Sequence, residues 1–130
     1  MYNEKSCGCI ILHEEKVLII KQNNGDWGFP KGHMEENETE IETARREVKE
    51  ETNIDVEIIG DKKYTMEYYT DKDNLKQVVL FLAYPKNFDL EPQQSEIDII
   101  KWVNIETAFN LLTFDNSKKA LAHILDIKDR

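Results

Sequence analysis

Only two cysteines and three prolines occur in the 130 residues, and lysine and arginine are outnumbered 17 to 26 by aspartate and glutamate. Each shortage removes a class of protein. Cys7 and Cys9 lie two apart on one strand face, with no other Cys or nearby His to complete a zinc set, so they are expected to be buried small hydrophobes. No apolar run approaches the roughly 18 residues needed to cross a bilayer. The opening MYNEKSCGCIIL carries Glu4 and Lys5 before a short apolar stretch and lacks a small-residue cleavage site, which predicts a cytosolic chain without a secretory signal. The formal net charge of -9 opposes binding to long nucleic acids, whose phosphates require Lys and Arg for neutralisation. An acidic chain can still bind a polyanion through metal, so the placement of the carboxylates decides the matter.

With 40% hydrophobic and 33% charged residues, the composition fits one globular domain over residues 1–130, able to bury a core without disulfides. Residues 6–12 and 16–22 are β-rich and separated by His13-Glu14-Glu15, which predicts a hairpin or neighbouring strands. Asn23 to Asn37 carries three glycines and Pro30 and is expected to be a long irregular loop, usually a functional one. From Thr39 to Thr52 the spacing of Ile41, Ala44 and Val48 predicts a helix, with Thr39 and Glu42 as a capping box and Asn53 as its left-handed end. Residues 55–70 are β-like, 71–75 a turn, Gln77 to Tyr84 a central strand closed by Pro85, and Glu96 to Val103 a further strand. Helices are expected from Ile105 to Leu112 and from Asn116 to Ile127, with Leu111, Leu112, Leu121 and Leu125 inward. The class is α/β, a mixed sheet with helices packed against it.

Three carboxylates share one face of the first helix, because at 100° per residue Glu47 and Glu51 stack and Glu50 stands about 60° from Glu47. An isolated E-x-x-E-E is more often a solvated acidic face. Here it follows the loop WGFPKGHME, where Gly32 can bring its carbonyl close to an ion and Lys31 and His33 can meet phosphate oxygens. Carboxylates that hold Mg²⁺ or Mn²⁺ beside cationic donors are the equipment of phosphoanhydride cleavage.

The chain resembles the Nudix hydrolases, whose signature is G-x5-E-x7-R-E-U-x-E-E-x-G-U with U aliphatic. Gly32, Glu38, Arg46, Glu47, Val48, Glu50, Glu51 and Ile54 occupy its positions in register, and Asn53 stands where the family has glycine. Asn also tolerates positive φ, so the turn is expected to survive. The resemblance implies a Nudix α/β/α sandwich with a central mixed β-sheet. It also implies metal on Glu47, Glu50, Glu51 and the Gly32 carbonyl, and a structural Glu38–Arg46 pair.

Trp27 to Glu35 looks most like the asymmetrical diadenosine tetraphosphate hydrolases of the animal and bacterial type. By that likeness Lys31, His33 and Lys76 would bind phosphate and Glu96 would add an acid near the metals. Phe114 would stack on adenine with Tyr69, the favoured partner over Tyr68, and Trp27 would support the loop. The catalytic acids would be Glu47, Glu51 and Glu96, with the general base either Glu51 or Glu96. The expected partner is a small nucleotide, with no membrane. The alternatives are another Nudix pyrophosphohydrolase, acting on a nucleoside triphosphate, an RNA 5′ end or a diphosphoinositol phosphate, and a nucleotide sensor without turnover. The intact set of Glu47, Glu50 and Glu51 argues against the sensor.

Overall fold

The computed structural model describes residues 3–71 and 73–127. The chain runs β1 (Glu4–His13), β2 (Lys16–Gln22), β3 (Trp27–Gly28), β4 (Lys31–His33), α1 (Glu40–Thr52), β5 (Val56–Asp71), β6 (Asn74–Pro85), β7 (Ile97–Asn104), α2 (Ile105–Leu111) and α3 (Asp115–Leu125). The stretch expected to be one irregular loop contains two short strands, because β1 and β2 each leave an edge free. β3 pairs with β2, and β4 pairs antiparallel with Ser6–Gly8 of β1. Tertiary pairing of this kind leaves no periodic signal in two or three residues.

β6 runs parallel to β1 and antiparallel to β5, so it is interior, as its unbroken apolar run requires. Alternation along these strands divides the core in two. Cys7, Cys9 and Ile11 of β1 and Val79, Phe81 and Ala83 of β6 face one side, where they meet Ala44 and Val48 of α1. Ile10 and the alternate set Val78, Leu80 and Leu82 face the other side, against Phe109, Leu112, Leu121 and Ile124. Leu111 and Leu125 pack partly buried on the same cluster. The result is an α/β/α sandwich around a mixed sheet.

α1 is held at both ends. Glu42 N–H donates to Thr39 Oγ1 at 3.1 Å and Thr39 N–H donates to Glu42 Oε1 at 2.8 Å, a reciprocal capping box. At the other end Asn53 takes φ 72° and its N–H donates to the Lys49 carbonyl. No helix among the described residues is long and apolar enough to cross a membrane.

Candidate active site

Two glycines bring β1, β4 and α1 close enough to form the site. The space a Cβ would need at Gly8 is filled by the Pro30 carbonyl and by Lys31, so the start of β4 lies directly on β1. At Gly32 that space is filled by the Glu47 carboxylate. Any side chain there would push the acid off the strand. Glu51, the next acid along this face, is only 6% exposed and accepts a hydrogen bond from Lys31 N–H at 3.2 Å.

The loop after β4 is tied to the helix through Arg46. Its Nε donates to Glu38 Oε2 at 2.7 Å, and its Nη2 donates to Glu38 Oε1 at 3.0 Å and to the His33 carbonyl at 2.9 Å. Glu38 Oε1 also accepts from Glu35 N–H at 2.9 Å and from the Thr43 hydroxyl at 2.8 Å. The hydrogen bond from Arg46, reinforced by the one from Glu35 N–H, holds the Glu38 carboxyl down at about 2. The third nitrogen, Nη1, donates to Glu47 Oε2 at 2.9 Å and to both Glu50 oxygens at 3.2 Å.

Like charge gathers around Glu51. Burial, then the neighbouring Glu47 carboxylate, push its carboxyl up to about 8, with Glu96 adding to the effect and Lys31 opposing it. Glu47 is raised by burial and partly restored by Arg46. The Lys31 ammonium is lowered by burial and by Lys76, against the pull of Glu51 and Glu47.

Lys31, His33, Lys76, Glu47, Glu50, Glu51 and Glu96 all line one chamber of about 650 Å³. Glu96 enters from the loop immediately before β7, one residue outside the strand in which the sequence put it. His33 is 67% exposed at the rim, its Nε2 4.0 Å from Glu4 Oε1. A second, more apolar pocket of about 340 Å³ is lined by Phe29, Met66, Tyr68, Val78, Leu80 and Phe114. Gln22 and Lys31 line both, so the two cavities adjoin.

Tyr69, favoured from the sequence beside Phe114, does not line this pocket and is 68% exposed; Tyr68 is the tyrosine that faces it. The reason is register. Tyr68 and Met66 alternate with Glu67 and Tyr69 along β5, so one tyrosine faces the cleft and the other faces away. Trp27 is half-buried against the core, lines the pocket wall, and carries the Lys101 ammonium 5.0 Å above its ring. Gln22, where the cavities join, was not singled out from the sequence, since a polar residue ending an apolar strand carries no distinctive signal.

Among the described residues no three carboxylate, imidazole or thiol groups converge closely enough to hold a metal ion as they stand. Arg46 Nη1 donates to both Glu47 and Glu50 in this arrangement. The donor set nonetheless fits a hard divalent cation, being all oxygen, with burial and neighbouring carboxylates raising two of its acids, Glu51 beside Glu47 and Glu47 beside Glu50 and Glu96. A cation would relieve that repulsion.

The family model for the NUDIX domain matches residues 3–124. The asymmetrical bis(5′-nucleosyl)-tetraphosphatase of Rattus norvegicus is 30% identical over 132 residues, covering 90% of each chain. The phosphatase NudJ of Escherichia coli (strain K12) is 30% identical over 101 residues, 75% of this chain and 66% of that one. A solved binary complex of the C. elegans Ap4A hydrolase superposes with a TM-score of 0.83 at 28% identity, covering 95% of this chain and 96% of that chain. A family match over nearly the whole chain, which includes the Gly32 to Ile54 motif that builds the acidic chamber, makes this protein a member of the Nudix hydrolase family.

Proposed function

We propose that the protein hydrolyses a dinucleoside tetraphosphate asymmetrically, releasing a nucleoside triphosphate and a nucleoside monophosphate, with Mg²⁺ or Mn²⁺ as cofactor. The observation that carries this is an acid-and-cation chamber lying next to an apolar pocket, with Gln22 and Lys31 lining both. The pocket suits a base, with Tyr68 and Phe114 as its aromatic walls, and the chamber suits a phosphate chain. Lys31, His33 and Lys76 give that chain more cationic contacts than a metal-bound diphosphate needs. The relatives named for bis(5′-nucleosyl)-tetraphosphate cleavage support the same substrate class.

Glu47, Glu50, Glu51 and the Gly32 carbonyl would hold the divalent ion. When bound, the ion supplies a Lewis acid for the phosphate oxygens and a water of lowered pKa. The side chains do the rest. Glu51 from α1 and Glu96 from the loop before β7 both face the chamber, and either is placed to accept the proton of the attacking water. Lys31 and Lys76 meet the charge that develops on the leaving phosphate. Glu38 and Arg46 fix the loop against α1 and take no part in the chemistry.

Hydrolysis of a substrate panel with Mg²⁺, resolved by ion-exchange chromatography, tests the substrate class. Diadenosine tetraphosphate is expected to turn over faster than ATP or a sugar nucleotide. A preference for either of those would refute the assignment.

A further inference from the structure

Asp26, Asn116 and Ser117 also line the apolar pocket, and the phosphate chemistry gives them no task. They share one wall because the backbones that carry them are stitched together. Trp27 N–H donates to Thr113 Oγ1 at 2.8 Å, and Thr113 N–H donates back to the Trp27 carbonyl at 3.2 Å. That pairing sets Asp26, the residue before Trp27, beside the first turn of α3, where Asn116 and Ser117 follow Phe114. All three are half-buried, and among the described residues their side chains have no hydrogen-bond or ion-pair partner.

A pocket with apolar faces and an unpaired polar edge fits a flat guest that is apolar on its faces and polar at its rim. A nucleobase has that form. The edge further narrows the choice. The Asp26 carboxylate only accepts hydrogen bonds, so a base that brings it no donor leaves it desolvated and unpaired. The Asn116 carboxamide places a donor beside an acceptor, the pattern complementary to N6–H and N7 of adenine. For guanine and cytosine, too, the exocyclic amino group supplies the donor that a carboxylate needs.

We infer that Asp26 and Asn116 read the edge of the base held by Tyr68 and Phe114, and select bases that carry an exocyclic amino group. The inference rests on the base-pocket reading above and adds to it a basis for discrimination. Tyr68 and Phe114 hold any base by its face, whereas Asp26 and Asn116 distinguish bases by whether an exocyclic amino group, and not a carbonyl or a hydrogen, faces the carboxylate. Ser117, which can donate or accept, adapts to either pattern.

Calorimetric binding of nucleoside monophosphates to the wild-type protein with Mg²⁺ tests it with two matched pairs. AMP is compared with purine riboside monophosphate, and CMP with UMP. In each pair the amino-bearing member is expected to bind roughly tenfold more tightly, the scale of one good edge contact. In an Asp26→Ala/Asn116→Ala variant, shown to be folded by its thermal transition, both ratios should fall close to one. Equal binding within both pairs, no measurable binding, or ratios that persist in the variant would each overturn the inference. Asymmetric hydrolysis alongside equal binding would remove the edge reading alone. The binding preference without hydrolysis would remove only the proposed reaction.

Discussion

Removing the charge of Glu51 should stabilise the metal-free protein while abolishing turnover. Glu51 is 6% exposed, and burial together with Glu47 raises its carboxyl from 4.5 to about 8. A native value above the unfolded one means that the group's contribution to stability is fully present below about pH 4.5 and is lost as pH rises through about 8. At pH 8 the native state is therefore burdened by about 4 kcal/mol relative to the unfolded chain, and by about 2 once the chamber relaxes and admits water. Glu51→Gln removes this burden and keeps the volume. Its amide oxygen can still accept from Lys31 N–H, the contact made at 3.2 Å in the wild type. At roughly 3–5 °C per kcal/mol for a chain of this size, the variant should melt at least about 6 °C above wild type at pH 8 in EDTA. Near pH 4.5 the two should converge, because the wild-type carboxyl is then neutral in the fold. Scanning calorimetry at both pH values checks this. Equal melting temperatures at pH 8, or a variant less stable than wild type there, would refute the picture of a repulsive, desolvated acid.

Glu38→Gln should lower activity only partly at saturating Mg²⁺, because Arg46 keeps its contacts to Glu47, Glu50 and the His33 carbonyl. A loss as deep as that of Glu51→Gln in the same steady-state assay would move Glu38 to the metal. Tyr68→Ala should raise KM by the equivalent of about 1–3 kcal/mol with little change in kcat, the scale of a lost base-stacking contact. Tyr69→Ala, which alters an exposed side chain outside the pocket, should leave KM as it is, and the opposite pattern would restore the tyrosine favoured by sequence. Gly32→Ala should reduce Mg²⁺ affinity in calorimetric titration, because the added Cβ displaces the Glu47 carboxylate, and unchanged affinity would separate Glu47 from the metal.

Much of the architecture was legible because it rests on local periodicity. The α1 stripe of Ala44 and Val48, its Thr39–Glu42 cap and its Asn53 end need only i, i+3 and i+4 relations, and all are present. β1 announced itself through a β-rich run and β6 through an unbroken apolar one. What escaped depends on which strand edge is free. β3 and β4 exist because β2 and β1 offer unpaired edges to residues with no strand pattern of their own. The same cause explains the tyrosine. Alternation guarantees that one of Tyr68 and Tyr69 faces inward, but the choice is set by the pairing of β5 with β6, where the register shifts between Ile59 and Lys63. Asp26 and Asn116 escaped for a third reason, since their common wall is made by a reciprocal pair of hydrogen bonds between Trp27 and Thr113, 86 positions apart.

The decisive measurement is the product pattern from diadenosine tetraphosphate incubated with the wild-type protein and Mg²⁺, followed by ion-exchange chromatography at early times. ATP and AMP should appear in equal amounts, with neither formed in EDTA nor with Glu51→Gln. Two molecules of ADP, or ATP and AMP formed equally well by Glu51→Gln, would contradict asymmetric cleavage at the chamber formed by Glu47, Glu51 and Gly32.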